Sequence, residues 1–341
     1  MSVPRVRRAA AAALLLLASF LVSALGAAPA SAGRVPLAAP PVLNVHVSPA
    51  GFVIPGANPR PRGPVTFRVT AEGAHGYWWT VYKLKNGATL TQFVDWITKS
   101  ASPDMSVALP ALRSLYDNVE YSGGAKVYPG NTVELTQTLT QGDYFFGSAA
   151  IPGPQVPGAA PSVKSLVEGR LDVDALKAAV PAGEAPEART AAEPAPSPFG
   201  WLQVTQENSP ALPLPIDGVV YMGNLLGKDF MIASGSIPAD GRLLVRNDSS
   251  QPQEAMFLEL LPGATDRDIQ AYFDAQLAGR PLPPRPFFDS IGGMLALSPG
   301  KQMMFSVHLP PGRYGVFSWL RIPETGIDAC ALGMHEIMTL R

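Results

Sequence analysis

One cysteine in 341 residues, Cys330, leaves the chain without an internal disulfide. Its core must then be held by apolar burial alone, even in a compartment that permits bridges. Basic clusters are also missing once the first residues are set aside. Removing Arg5, Arg7 and Arg8 takes the formal net charge from -1 to -4, which disfavours nucleic acid or an anionic membrane as partner. No Gly-x-Ser-x-Gly, His-Glu-x-x-His, phosphate-binding loop or dinucleotide fingerprint occurs, and the pair His335-Glu336 has no second histidine nearby. These absences argue against an enzyme. Two carboxylates that meet only in space leave no mark in a sequence, so an uncharacterised secreted hydrolase stays open as a third reading.

What is present begins with a leader. Arg5, Arg7 and Arg8 precede an apolar run from Ala9 to Leu25, and Ala30-Ser31-Ala32 offers a small-residue cleavage site before Gly33. Residues 1–32 therefore read as a secretory signal peptide, and the expected location of the mature chain is extracellular. The apolar stretch from Ala9 to Ala30 is also long enough to span a bilayer, so a retained anchor is the alternative.

The rest is organised by a repeat. Gly123-Gly124, Pro129-Gly130, the alternating segment Thr132 to Leu139, the turn Thr140-Gln141-Gly142 and Tyr144 to Ser148 recur as Gly292-Gly293, Ser298-Pro299-Gly300, Met303 to Leu309, Pro310-Pro311-Gly312 and Tyr314 to Trp319. The glycines Gly130 and Gly142 are separated by twelve positions, as are Gly300 and Gly312. A helix signal repeats as well. Thr89 with Gln92 forms a capping box ahead of Leu90, Phe93, Val94 and Ile97; 176 positions on, Thr265 precedes Ile269, Tyr272, Phe273 and Leu277, with Gly279 at the end. The expectation is an all-β chain of two Greek-key β-sandwiches, each with one short helix.

The domain map places the first sandwich at 40–206, a linker at 207–215 and the second sandwich at 216–341. Residues 152–198, rich in Pro, Ala and Glu, read as a partly disordered insertion before the last strand of the first sandwich. Within the second sandwich, Arg242 to Arg246 is expected to pair with Glu254 to Leu261. The strand Tyr77 to Leu84 is apolar on both faces and needs cover on both.

This order of features, strands with a helix after Leu-x-Pro-Gly-Ala-Thr, then Gly-Gly, Ser-Pro-Gly, Pro-Gly-x-Tyr and a terminal Gly-Met, resembles the cupredoxin-like fold of secreted bacterial copper proteins. The resemblance covers nearly all of the second sandwich and, more loosely, the first. It implies a copper site of two His, one Cys and an axial Met. The position implied for the cysteine is occupied by Ser148 and Ser318, that for the first histidine lies at Gln253-Glu254 and near Tyr77, and only Met334 is kept.

Cys330, Met334, His335 and Met338 are soft enough for Cu(I), but on an extended strand Met334 and Met338 face away from His335. Eight of the ten methionines lie between Met222 and Met338. They suit either a copper reservoir or core packing, and packing is the simpler account for the inward set Met303, Phe305, Val307 and Leu309. Trp78, Tyr82 and Leu84 are assigned to the core side of their strand, with Tyr77 and Trp79 on the other side. There Tyr77 and Trp79 either pack the short helix or stack on a ligand. His46, His75 and His308 carry no assigned role. The sequence thus supports a secreted, non-catalytic binding or structural module without cofactor, whose partner is an unidentified extracellular ligand or protein. Its candidate binding residues are Tyr77 and Trp79. The alternative is a copper-handling protein using Cys330, Met334 and His335 in the Met-rich second half.

Overall fold

A computed structural model describes residues 39–54, 58–73, 76–151, 199–208, 214–306 and 308–341. The signal segment 1–32, the insertion 152–198, most of the linker 207–215, and His75 lie outside the described residues. The first half contains β1 (Val42–Ser48), β2 (Gly51–Val53), β3 (Arg60–Ala71), β4 (Tyr77–Leu84), α1 (Leu90–Ser100), α2 (Met105–Asn118), β5 (Val119–Val127), β6 (Thr132–Leu139), β7 (Gly142–Ala150) and β8 (Phe199–Asn208). The second contains β9 (Gly218–Leu225), β10 (Lys228–Ala233), β11 (Ser236–Ile237), β12 (Arg242–Asp248), β13 (Gln253–Leu260), α3 (Asp266–Leu277), β14 (Phe287–Leu297), β15 (Lys301–Ser306), β16 (Gly312–Phe317), a short 3-10 turn (Ala329–Leu332) and β17 (His335–Leu340).

The strands form a two-layer sandwich with the all-β, cupredoxin-like order. One layer runs β2-β1-β3-β6 and continues through β15-β12-β9-β10. The other runs β8-β7-β4-β5 and continues through β14-β13-β16-β17. In both halves the first strand is parallel to its inner neighbour, β1 to β3 and β9 to β12. Strand β8 lies on β7 as β17 lies on β16, so the segment after the insertion completes the first half. Positions 170 apart in the repeat meet at the junction, where Leu135 pairs with Phe305. A pseudo-twofold axis therefore passes between β6 and β15.

Local signals act where the spacing places them. Thr89 and Gln92 exchange both capping bonds, at 3.2 and 2.9 Å, and Thr265 and Asp268 do the same at 3.3 and 2.9 Å. The bonds from Thr265 hold the Asp268 carboxyl below the usual carboxylate range. In the first repeat the turn tyrosine Tyr144 accepts from the Thr140 N–H at 2.9 Å; in the second, Tyr314 donates to the Pro310 carbonyl at 2.7 Å. Each turn is thereby tied to its own strand. The Gly-Gly pairs answer to close approach: a Cβ on Gly124 would sit 2.8 Å from Thr80 Cα, and one on Gly293 2.7 Å from Met256 Cα.

Four expectations need correction. The first half carries two helices: α2, capped by Asp104 accepting from Ser106 N–H at 2.8 Å, contains Pro110 and buries only the small stripe Ala108, Ala111 and Leu115. A mid-helix proline and an alanine-rich stripe hide such a helix from pattern reading. Strands β12 and β13 do not pair; β12 lies between β9 and β15 in one layer while β13 lies between β14 and β16 in the other. The segment joining them crosses between layers. The faces of β4 are also reversed. Tyr77, Trp79 and Val81 enter the sandwich core, and Trp78 and Tyr82 face outward to the helical layers. Leu277, expected in the stripe of α3, is exposed, whereas Ile269, Tyr272 and Phe273 are buried.

Candidate functional site

At the end of β16 the Ser318 hydroxyl is fully buried, donating to Gln253 Oε1 at 2.6 Å and accepting from the Glu254 N–H at 3.1 Å. Gln253 Nε2 donates in turn to Asp229 Oδ2 at 3.3 Å. Nearby, Asn247 Nδ2 donates to the carbonyls of Gln251 and Leu297 at 2.9 and 2.6 Å, while its Oδ1 accepts from Ser249. Where the resemblance implies a thiolate and an imidazole, the chain has a hydroxyl and an amide bonded to each other. Both are hard donors whose bonding capacity is already engaged.

The remaining soft groups are split between layers. Met334 and Met338 are buried in the sandwich core, and Cys330 belongs to the cluster under α3. His335 Nδ1 donates to the Cys330 carbonyl at 2.9 Å. Its Nε2 lies 3.2 Å from Asp266 Oδ1, close but without hydrogen-bond alignment, so that nitrogen makes no hydrogen bond. Burial, with the nearby charges of Asp328 and Glu254, pushes the Cys330 thiol well up, which keeps it protonated at neutral pH. Of the eight methionines in this half, all but Met304 are buried. These residues do not fit a blue-copper ion.

Incubation with Cu(II) is therefore expected to leave the protein colourless, with no copper surviving dialysis against a mild chelator. The Ser318→Cys variant, which returns a thiol to the implied position, should remain without an intense visible band because Gln253 still occupies the histidine place. A stoichiometric copper content with a strong band, lost on Cys330→Ala, would overturn this reading.

The aromatic candidates Tyr77 and Trp79 are 4% and 0% exposed, so neither offers a ring to an outside ligand. His308 is exposed, and His46 sits on the surface against Thr70 Oγ1 at 3.1 Å and Glu72 at 2.9 Å.

The concavity lies elsewhere. A cavity of about 140 Å³ opens between the α1–α2 pair of the first half and the β13, β14 and 319–328 region of the second. From the first half it takes Trp78, Thr80, Tyr82, Ile97, Ser100, Leu112, Leu115, Tyr116 and Tyr121; from the second, Glu254, Leu295, Ala296, Trp319, Leu320, Arg321 and Asp328. The outward face of β4 supplies Trp78, Thr80 and Tyr82, the residues that the reversed parity turns away from the core. The two halves are latched beside it. Tyr116 donates its hydroxyl to the Arg321 carbonyl at 3.0 Å, and Arg321 Nε lies 3.8 Å from Asp328 Oδ1. Glu254 Oε1 accepts from the Trp319 N–H at 3.0 Å. Its lining contains neither histidine, cysteine nor lysine. Sequence reasoning met Glu254 only as the place of a missing histidine, and passed over Tyr116, Tyr121 and Trp319. No periodic signal connects residues so far apart in the chain.

No protein-family model matches the chain, and no curated protein matches it. Among solved structures, a multicopper oxidase is 12% identical over 88% of this chain and 88% of that one, with a TM-score of 0.20. An auracyanin from the photosynthetic bacterium Roseiflexus castenholzii is 17% identical over 37% of this chain and 99% of its own, TM-score 0.21. A Cu-containing nitrite reductase from Thermus scotoductus is 10% identical, covering 88% of this chain and 61% of that chain, TM-score 0.21. Likeness at that level says nothing of the site, and the architecture stands on the strand order given above.

Proposed function

We propose that the chain is an exported, non-catalytic binding module whose ligand site is the cavity between the α1–α2 pair and the second half. The observation that carries this reading is a concave, mainly apolar and aromatic lining drawn from both halves, with a few polar groups converging on it. At about 140 Å³ it matches the size of a cavity known to take a single benzene ring, about 150 Å³. A catalytic role finds little support in the lining, which offers hydroxyls and carboxylates but no imidazole or thiol to activate them.

The test uses protein recovered from the culture medium, whose intact mass should begin at Gly33. Titration with fluorobenzene, followed by fluorine NMR, is expected to give saturable exchange broadening at one site. Leu112→Trp, which fills the space from a half-buried position on α2, should abolish it. Retained leader mass would mean an uncleaved anchor in place of a signal peptide, and unchanged binding in the Leu112→Trp protein would refute the cavity as the site.

A further inference from the structure

Helices α1, α2 and α3 all pack on the layer that contains β4 and β13. Among the described residues no helix packs on the outer face of the other layer, which carries β15, β12, β9 and β10. Strand pairing sets out that face residue by residue. Gln302, Arg246, Tyr221 and Ile232 form one row across four strands, and Asp248, Gly223 and Phe230 form the next. Their neighbours Val220, Met222, Met231 and Val245 enter the core, so these two rows point outward. At their centre stands Gly223. A Cβ there would sit 2.7 Å from both Phe230 Cζ and Tyr221 Cε1, so the two rings fold down over the glycine, with centroids 6.0 Å apart. Both side chains are half-buried, their inner sides on the sheet.

Covering a strand glycine is a packing use in itself, but the side chains beside the rings go further. Arg246 Nε donates to Asp248 Oδ2 at 2.6 Å, which pins the guanidinium plane, and the arginine side chain is still 51% exposed. Its terminal nitrogens have no partner among the described residues. Burial, then the charge of Asp248, holds the Tyr221 hydroxyl above its ordinary value, so the phenol is a neutral hydroxyl beside that pair. Guanidinium and carboxylate neutralise each other, and the patch therefore selects for no net charge. An apolar partner would strip water from this ion pair without replacing its bonds. A ligand suited to the whole patch needs a flat C–H face for the rings and hydroxyls at its rim for the fork; a pyranose ring has both. The surface is an open sheet without walls, on which a ribbon of coplanar sugar rings can lie and a coiled chain cannot. We propose that this face binds a flat, neutral, β-1,4-linked glycan, with one pyranose ring on Phe230 and Tyr221 and its hydroxyls bonded to Arg246 and Asp248. The site is on the opposite layer from the cavity and does not depend on it.

Three hexasaccharides test this by calorimetric titration of the full chain: cellohexaose, the β-1,4-linked hexamer of N-acetylglucosamine, and the α-linked maltohexaose. At least one of the β-linked pair is expected to bind, about tenfold or more tighter than maltohexaose. Phe230→Leu keeps the glycine covered but removes the flat ring, and should weaken binding about fivefold or more. Arg246→Ala, which removes the fork, should weaken it about tenfold or more. Leu112→Trp, which fills the cavity on the other layer, should leave glycan binding unchanged. Binding of neither β-linked hexamer, equal affinity for maltohexaose, or undiminished binding in either the Phe230→Leu or the Arg246→Ala protein would overturn the assignment. Should Phe230→Leu fail to fold, Arg246→Ala, altered only at an exposed side chain, still decides.

Discussion

Trp79→Ala is expected to lower the unfolding free energy by about 3–5 kcal/mol, the range for truncating a large aromatic in a well-packed core. The ring is fully buried between Phe67, Phe146 and Phe52, with centroids at 5.2, 5.4 and 6.3 Å. Those three rings come from β2, β3 and β7, so the space left behind cannot close without moving both layers. The indole N–H makes no hydrogen bond. Trp79 therefore acts through packing alone, and Trp79→Phe, which removes that orphaned donor, should cost far less than alanine. Urea midpoints at unchanged slope measure both. A loss under about 1 kcal/mol for Trp79→Ala would mean that the residue is not in the core described here.

Gly124→Ala should be at least as damaging per atom added, on the order of 3 kcal/mol for a single methyl group. The new Cβ would collide with the Trp79 carbonyl and stand 2.8 Å from Thr80 Cα, both backbone atoms of the paired strand β4. Neither can swing aside as a side chain tip would. Strand β5 also pairs with β14, so the displacement crosses into the second half, and the two halves should lose cooperativity together. Gly130→Ala supplies the control. Its φ of +82° carries the ordinary left-handed penalty of about 1 kcal/mol, but the added methyl meets nothing within 4 Å. Comparable losses at the two sites would refute the steric account.

Much of the frame was legible because it is written locally. Capping pairs, alternating segments such as Thr132 to Leu139, and the turn tyrosines each act within a few residues, so their meaning survives without a partner. Pairing across the sandwich did not survive in this way. Strand β4 is apolar on both faces, leaving no polar alternation to say which side is the core, so nothing in its sequence marks Trp79 as the inward ring. The separation of β12 from β13 depends on a crossing between layers, which hydrophobic period cannot report. The cavity was least legible of all. Trp78, Tyr116, Glu254 and Trp319 converge only because β5 meets β14 and the 319–328 segment grips α2.

That meeting of β5 with β14 and β6 with β15 has the form of an isologous contact, the kind by which two identical subunits associate about a twofold axis. In a homodimer of one gene product, every position on one side is repeated on the other, so two equivalent positions that line one pocket must carry the same residue. A single polypeptide that carries both copies is released from that constraint. It holds Trp78 on one side and Glu254 on the other, a mixed pocket that no symmetric pair of identical subunits can build.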